Sequence, residues 1–332
     1  MTAIAVLGAG GWGTTLADLL ARKGSAVRLW AYESDVVQAV NQRRENPIFL
    51  PGCALAPTLR AFTDPVQACQ GADVVLTVAP SPVLRQVVHQ AAPGIGPGSL
   101  VVTATKGIEP GTLHLMSEVL GEELPGRRVA ALSGPSFALE VFQGQPTAVV
   151  AAATDDATAC TVQEVFATPT FRVYRNRDVT GVELAGALKN VIAIAAGILE
   201  GLGLGHNPRA ALITRGLAEM TRLGVAMGAD PQTFAGLAGM GDLILTTTGA
   251  LSRNRSLGLA LAAGGTLAGY TATHRSVAEG ANTARAALAL AARYAVELPI
   301  CAEVAAILFE DKPARQVIGE LMERALKAES WR

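Results

Sequence analysis

The stretch Ala3-Ile4-Ala5-Val6-Leu7-Gly8-Ala9-Gly10-Gly11-Trp12-Gly13 decides the fold. Ala3–Leu7 is five apolar residues without a polar interruption, which reads as a strand buried on both faces. Glycines at 8, 10 and 13 then give the G-x-G-x-x-G pattern directly after that strand. Gly8 permits the tight turn, Gly10 lets backbone approach a pyrophosphate, and Gly13 lets the following helix pack close to the strand. The start of that helix offers free N–H groups and a positive dipole end to phosphate. A strand, glycine loop and helix in this order predict a dinucleotide site rather than a turn that only packs.

Working outward, short apolar runs alternate with helical stretches. Ala26–Trp30 is a second strand, followed by 73–78, Leu100–Thr103, 129–132 and 148–152. Between them lie helix-like segments such as 14–22 and 82–90. This alternation predicts an α/β fold, an N-terminal Rossmann-like, mostly parallel sheet covered on both faces. From Thr180 the pattern becomes long helices at 181–201, 210–227, 231–237, 253–263, 277–297 and 314–328. Asp230-Pro231 supplies a good N-cap with Pro at the first helical position. The boundary is expected after the polar segment Arg175-Asn176-Arg177-Asp178. That gives a dinucleotide-binding domain of residues 1–178 and an all-helical substrate and catalytic domain of residues 179–332.

Composition agrees with two folded domains. Of 332 residues, 50% are hydrophobic and 17% charged, enough apolar material for a large core. The 27 basic and 28 acidic residues leave a net charge of -1, so no basic patch calls for nucleic acid. Glycine is in excess, at 35 residues. It sits among apolar runs, which favours tight backbone sites over low complexity. Cys53, Cys69, Cys160 and Cys301 are scattered without a Cys-x-x-Cys pair, which fits a reducing compartment and no metal. No basic flank precedes the first apolar run, so no signal peptide is expected, and the location is expected to be cytoplasmic.

Polar groups stand out in the helical half. Residues 184–199 are apolar except for Lys189 and Asn190 near the middle. A central lysine costs a membrane helix ~2.5–3.5 kcal/mol, so a buried helix without a membrane span is the better reading. There Lys189 is either a structural lysine paired with a carboxylate or a desolvated lysine with a lowered pKa suited to proton transfer. Ser252-Arg253-Asn254-Arg255 reads as an N-cap and first helical turn, either a solvated cap or a phosphate site. Asp242, beside Gly239 and Gly241, is either a turn residue or an anchor for a cation such as Lys189.

In the first half, Thr105-Lys106-Gly107 and Ser133-Gly134-Pro135-Ser136-Phe137-Ala138 close two strands. Ligands of open α/β sheets bind beyond the carboxyl ends of the strands, so both motifs point at the crevice of the glycine loop. Lys106 there is either an exposed loop lysine or a site residue. The second strand runs into Ala31-Tyr32-Glu33 without an adjacent Arg. Glu33 lies about where an acid would bond a ribose 2′-hydroxyl, slightly past the strand end, which leaves NAD and NADP both open.

Together these motifs closely resemble the bacterial type of NAD(P)-dependent glycerol-3-phosphate dehydrogenase over nearly the whole chain. The resemblance also rests on residues 188–193, Ile213-Thr214-Arg215-Gly216-Leu217-Ala218-Glu219-Met220, and Val277-Ala278-Glu279-Gly280. It implies interconversion of dihydroxyacetone phosphate and sn-glycerol 3-phosphate, feeding glycerophospholipid synthesis, in an enzyme expected to be a homodimer. It implies Lys189 as proton donor and acceptor, supported by Lys106 and oriented by Asp242. Substrate contacts are implied at Lys106, Gly134, Ser136, Lys189, Asp242, Ser252, Arg253 and Asn254. The dinucleotide, NAD or NADP, is expected at the glycine loop residues Gly8, Gly10, Gly11, Trp12 and Gly13. Further contacts to it are expected at Tyr32, Lys106, Ala138, Arg253, Val277 and Glu279.

Two other readings compete. A related two-domain dehydrogenase of the 3-hydroxyacyl-CoA type would need a His–Glu pair, and none of His89, His114, His206 and His274 has a carboxylate in a recognisable dyad context. A non-catalytic dinucleotide sensor would be expected to lack Lys189 or Asp242, and both are present.

Overall fold

The computed structural model describes residues 1–274, 278–326, 328 and 329. Its eight strands are β1 (Ala3–Leu7), β2 (Ala26–Trp30), β3 (Arg60–Phe62), β4 (Val74–Thr77), β5 (Leu100–Thr103), β6 (Arg128–Ser133), β7 (Thr147–Ala152) and β8 (Phe171–Asn176). They form one sheet in the order β3-β2-β1-β4-β5-β6-β7-β8. All neighbours run parallel except β6 and β7, which are antiparallel. The glycine loop follows β1, where the strand order reverses between β2 and β4. This is the position at which doubly wound sheets bind ligands.

Side chains alternate between the two faces with period two. Ile4 and Val6 of β1 pack with Leu16 and Leu20 of the Gly11–Arg22 helix and with Phe166 of the Asp156–Phe166 helix. Ala5 and Leu7 pack on the other side with Leu84 and Val88 of the Leu84–Ala91 helix and Val119 of the Met116–Glu123 helix. Both faces are therefore dry, which explains why β1, β4 and β5 carry no alternating polar residues.

The chain leaves the sheet at Asn176 and enters the Val179–Gly201 helix, here the lysine helix. Asp178 caps it, its Oδ1 accepting from Gly181 N–H at 2.8 Å. The helix is long and apolar enough to cross a membrane, yet 94% of its most apolar window is buried inside the protein. Four helices wrap it: His206–Ala226, Asp242–Thr248, Arg253–Ala262 and Glu279–Arg293.

The closest crossing is with Arg253–Ala262. A Cβ on Gly197 would lie 2.0 Å from Arg255 O, and one on Gly258 would lie 2.1 Å from Ile194 O. These two glycines let backbone meet backbone, and so set how deep the second helix sits. Gly186 serves differently: its missing Cβ leaves room for Ser133 Oγ, which would be 2.7 Å away, and for the Lys106 stem.

The sequence pattern misses two strands. β3 is only three residues long, and β8 is an edge strand whose Arg172, Tyr174 and Arg175 face solvent. Arg175 and Asn176, the start of the polar segment before the expected boundary, are the end of β8. The helix expected at 277–297 begins at Glu279 and ends at Arg293, and a separate Pro299–Phe309 helix follows it. That second helix is apolar nearly throughout and gives little periodic signal.

Replacing Gly197 by Ala should cost about 1–3 kcal/mol, because a backbone carbonyl cannot move aside as a side chain can. Urea unfolding checks this, and an unchanged midpoint would contradict the close crossing.

Candidate active site

The glycine loop is built to hold a shape. Gly8 has φ +121°, and a Cβ there would lie 2.8 Å from the Val78–Ala79 backbone. A Cβ on Gly13 would lie 1.9 Å from Gly8 O, so the helix start sits directly against the turn. Asn46, fully buried, fastens the loop. Its Nδ2 donates to Ala9 O and to Thr14 Oγ1, each at 2.8 Å, while its Oδ1 accepts from Phe49 N–H at 3.1 Å. A Cβ on Gly11 would meet Phe49 O at 2.8 Å and Ala138 Cβ at 3.9 Å. Asn46 has no part in the sequence reading. The Asn46-Pro47 dipeptide marks a turn, but nothing local ties it to residue 9.

Gly10 differs from its neighbours. A Cβ there would meet nothing within 4 Å, and its φ of -64° suits any residue. The chain itself gives no packing reason for this glycine, and a bound pyrophosphate does. Trp12 Nε1 is a buried donor without a partner among the described residues. No acidic residue occupies the first turn of the Gly11–Arg22 helix, so nothing within that turn neutralises its positive end. These features fit a dinucleotide. Tyr32, just after β2, is 85% exposed. Val277 lies outside the described residues.

The polar centre lies between the strand ends and the lysine helix. Asp242 opens the Asp242–Thr248 helix and is 1% exposed. It is delivered by a five-residue π-helical turn, Leu237–Gly241, a device frequent at functional sites. Its Oδ1 accepts from Lys189 Nζ at 2.8 Å and its Oδ2 from Lys106 Nζ at 2.6 Å. Lys106 Nζ also donates to Gly134 O at 3.0 Å, and Ser136 Oγ donates to the same carbonyl at 3.0 Å. Gly134, with φ +131° and its Cβ position 3.0 Å from Val149 Cα, turns that carbonyl inward. Burial lowers the Lys189 pKa to about 8, with Asp242 opposing the shift and the Lys106 and Arg253 cations adding to it. Lys189 is therefore both a carboxylate-paired lysine and a desolvated one, readings that the sequence posed as alternatives.

Ser252 caps the Arg253–Ala262 helix, its Oγ accepting from Arg255 N–H at 3.3 Å and sharing a hydrogen bond with Thr246 Oγ1 at 3.0 Å. Arg255 pairs with Glu200. Arg253 keeps solvent-exposed surface, yet burial lowers its guanidinium pKa, with Glu279 opposing the shift, and the guanidinium makes no hydrogen bond or ion pair among the described residues. The Asn254 amide is engaged in the protein: its Nδ2 donates to Asn190 Oδ1 and its Oδ1 accepts from Gly280 N–H, each at 2.9 Å. Glu279 accepts from Ser81 N–H at 3.2 Å and from Ser81 Oγ at 2.8 Å. It thereby ties the helical half to the turn after β4.

One reading of the histidines needs correction. His89 contacts Glu123 at 3.0 Å and His114 contacts Glu122 at 3.2 Å. These dyads belong to the cluster around Arg85, on the outer helices and the loop before the Met116–Glu123 helix. Lys189 and Asp242 do not contact them. Sequence spacing hides them because His89 and Glu123 come from different helices, and His114 folds back from the loop before the helix that carries Glu122.

A glycine-loop sheet joined to a buried lysine–carboxylate centre defines a dinucleotide-dependent dehydrogenase. Family models agree: residues 3–159 match the N-terminus, and residues 178–319 the C-terminus, of NAD-dependent glycerol-3-phosphate dehydrogenase. The chain belongs to this family. It is 58% identical over 331 residues to glycerol-3-phosphate dehydrogenase [NAD(P)+] of Geobacter sulfurreducens, covering 99% of each chain. To that of Geobacter metallireducens it is 58% identical over 330 residues, covering 98% of each. Among solved structures, glycerol-3-phosphate dehydrogenase from Coxiella burnetii matches with a TM-score of 0.94 and 43% identity, covering 97% of this chain and 99% of that one. The cofactor is accordingly NAD or NADP.

Gly10→Ala should keep the wild-type melting temperature and raise the KM for the dinucleotide at least about tenfold, since a methyl would stand where the pyrophosphate approaches. An unchanged KM would leave Gly10 without a role.

Proposed function

We propose that Lys189 is the proton donor and acceptor in the interconversion of dihydroxyacetone phosphate and sn-glycerol 3-phosphate. The observation that carries this is the pair of lysine ammonium groups held on one buried carboxylate, Asp242. When bound, the reduced nicotinamide supplies the hydride that attacks C2 of the substrate. Negative charge then grows on the C2 oxygen, and Lys189 Nζ gives it a proton while the Lys106 ammonium supports it electrostatically. In the reverse direction neutral Lys189 takes the proton from the C2 hydroxyl. Asp242 orients both lysines throughout.

Arg253 and the Ser252-capped helix start hold the phosphate, because a guanidinium without a partner among the described residues is the natural site for a dianion. Asn254 shapes that helix start through Asn190 and Gly280, with one amide hydrogen left over for substrate. Gly134 and Ser136 line the same crevice. Holding the phosphate away from the reacting carbon positions C2 and converts remote binding energy into rate. The dinucleotide lies along Gly8, Gly10, Gly11, Trp12 and Gly13, with Tyr32, Lys106, Ala138, Arg253, Val277 and Glu279 as further contacts. Residues 1–178 and 179–332 are the binding and catalytic domains. The enzyme works in the cytoplasm, and its product feeds glycerophospholipid synthesis. The exposed Met240, Ile244 and Leu251 beside the Asp242 helix support a homodimer.

Lys189→Ala should bind the dinucleotide normally and lose turnover by several orders of magnitude. In the wild type the reduction needs protonated Lys189, so its rate should be level below about pH 8 and fall above it. Oxidation needs the neutral amine and should rise through the same pH. Initial rates in both directions check this, and a near-normal kcat for Lys189→Ala would overturn the assignment. Arg253→Gln should chiefly raise the substrate KM, and an unchanged KM would argue against a phosphate site there.

A further inference from the structure

Glu183 is 6% exposed, lies on the lysine helix, and takes no part in the proton transfer described above. Its carboxylate accepts from the Ser117 N–H at 3.0 Å and from the Ser117 hydroxyl. Burial pushes its pKa up to about 7, the Ser117 hydrogen bonds opposing that shift. A buried acid is costly unless it is hydrogen-bonded, and this one spends its bonds on a single residue. Ser117 stands at the second position of the Met116–Glu123 helix, which belongs to the sheet half.

The segment leading to Ser117 starts at Lys106. Gly107 packs against Ser81, which a Cβ there would meet at 2.4 Å from Oγ. Ile108 and Leu115 then pair as an antiparallel bridge. Both are buried in the core of the helical half, with Leu184 and Leu188. Arg85 holds Glu109 of this hairpin at 2.8 Å. The hairpin thus carries Lys106 at its base and ends at the residue that Glu183 grips. Six residues on from Glu183, about 9 Å along the helix axis, is Lys189.

We propose that Glu183 is a positioning residue for the reaction: by holding Ser117 it fastens the Lys106 hairpin to the lysine helix and sets the spacing across which Asp242 bridges Lys106 and Lys189. The proposal rests on reading Lys189 as the proton donor. Asp242 can reach both ammonium groups only while strand end and helix keep a fixed separation. The Glu183–Ser117 contact is a polar tie between those two bodies close to the lysines. A shift of about an ångström at a reacting group can cost a hundredfold in rate.

The test is steady-state reduction of dihydroxyacetone phosphate by Glu183→Ala, Glu183→Gln, Ser117→Ala and the Glu183→Ala/Ser117→Ala double variant, with melting temperatures alongside. Glu183→Ala should lose about tenfold to a hundredfold in kcat with the dinucleotide KM unchanged. Glu183→Gln keeps an oxygen for the Ser117 N–H and should restore most of the rate. The double variant should be no slower than Glu183→Ala alone, since with the carboxylate gone the Ser117 hydroxyl has no contact left to lose. In Ser117→Ala the pH at which the reduction rate falls should move from its wild-type value, because the Lys189 pKa depends on where Lys106 and Asp242 stand. A folded Glu183→Ala with wild-type kcat would overturn the proposal, as would a Glu183→Gln as slow as the alanine variant. Should Glu183→Ala not fold, Glu183→Asp, whose carboxylate stops a methylene short of both Ser117 donors, decides alone: a lowered kcat with intact KM supports the tie, and wild-type kinetics refute it. Lys189→Ala run in parallel separates the two readings, since its turnover tests the proton donor and not the tie.

Discussion

Two ammonium groups from different halves of the molecule share one carboxylate, and much of the site's construction follows from that contact. Lys106 and Lys189 would repel each other in a water-poor site. Asp242 makes their neighbourhood tolerable by accepting from each on a separate oxygen. Removing one partner of a buried ion pair costs about 3–5 kcal/mol, because the remaining charge is left uncompensated. Here the loss of Asp242 would leave two such charges. Backbone geometry is adapted to deliver the three groups. A Cβ on Gly239 would lie 2.1 Å from Phe234 O in the turn that presents Asp242. Gly134 presents the carbonyl that holds Lys106, and Gly186 leaves space for the Lys106 stem.

Three charges with a sum of +1 also bring the Lys189 pKa down towards neutral pH. A lysine in water gives up its proton near 10.4, too high to cycle easily. Burial disfavours the ammonium, the second lysine disfavours it further, and Asp242 alone pulls the other way. The balance comes out near 8, close to the working range of an acid–base catalyst. The same residual positive charge suits an oxygen that becomes negative. Arg253, without a hydrogen-bond or ion-pair partner among the described residues, is the group proposed for the phosphate.

What was legible in the sequence follows from how local each signal is. The glycine loop could be read from its pattern because strand, turn and helix start are contiguous, although Gly8 and Gly11 also answer to the distant Val78–Ala79 and Phe49 backbone. The strands β1, β2, β4 and β5 announced themselves as apolar runs. β8 did not, since an edge strand with solvent on one side carries Arg172, Tyr174 and Arg175. Lys189 stood out as a cation in an apolar helix, but its partner could only be guessed, because Asp242 is fifty-three positions away. Asn46 and the Ser81–Glu279 and Ser117–Glu183 contacts join distant segments. Nothing in a single sequence brings such residues together.

The two halves are also less separate than a boundary near Asp178 implies. Secondary structure changes there, from sheet to helix, because β8 ends and Asp178 caps the lysine helix. Packing does not part at the same place. Ile108 and Leu115 leave the sheet half and are buried with Leu184 and Leu188, while Glu279 returns the contact by binding Ser81. In the proposed reaction, hydride transfer needs a nicotinamide held from the sheet side to meet a carbon held from the helical side. Effective molarity of that kind depends on sub-ångström placement across the junction. An apolar seam alone resists separation, but it permits sliding. Directional polar contacts such as Glu183 to Ser117 and Glu279 to Ser81 resist sliding as well. Buried acids at this junction therefore have a mechanical reason to exist in places where apolar residues would pack at lower cost.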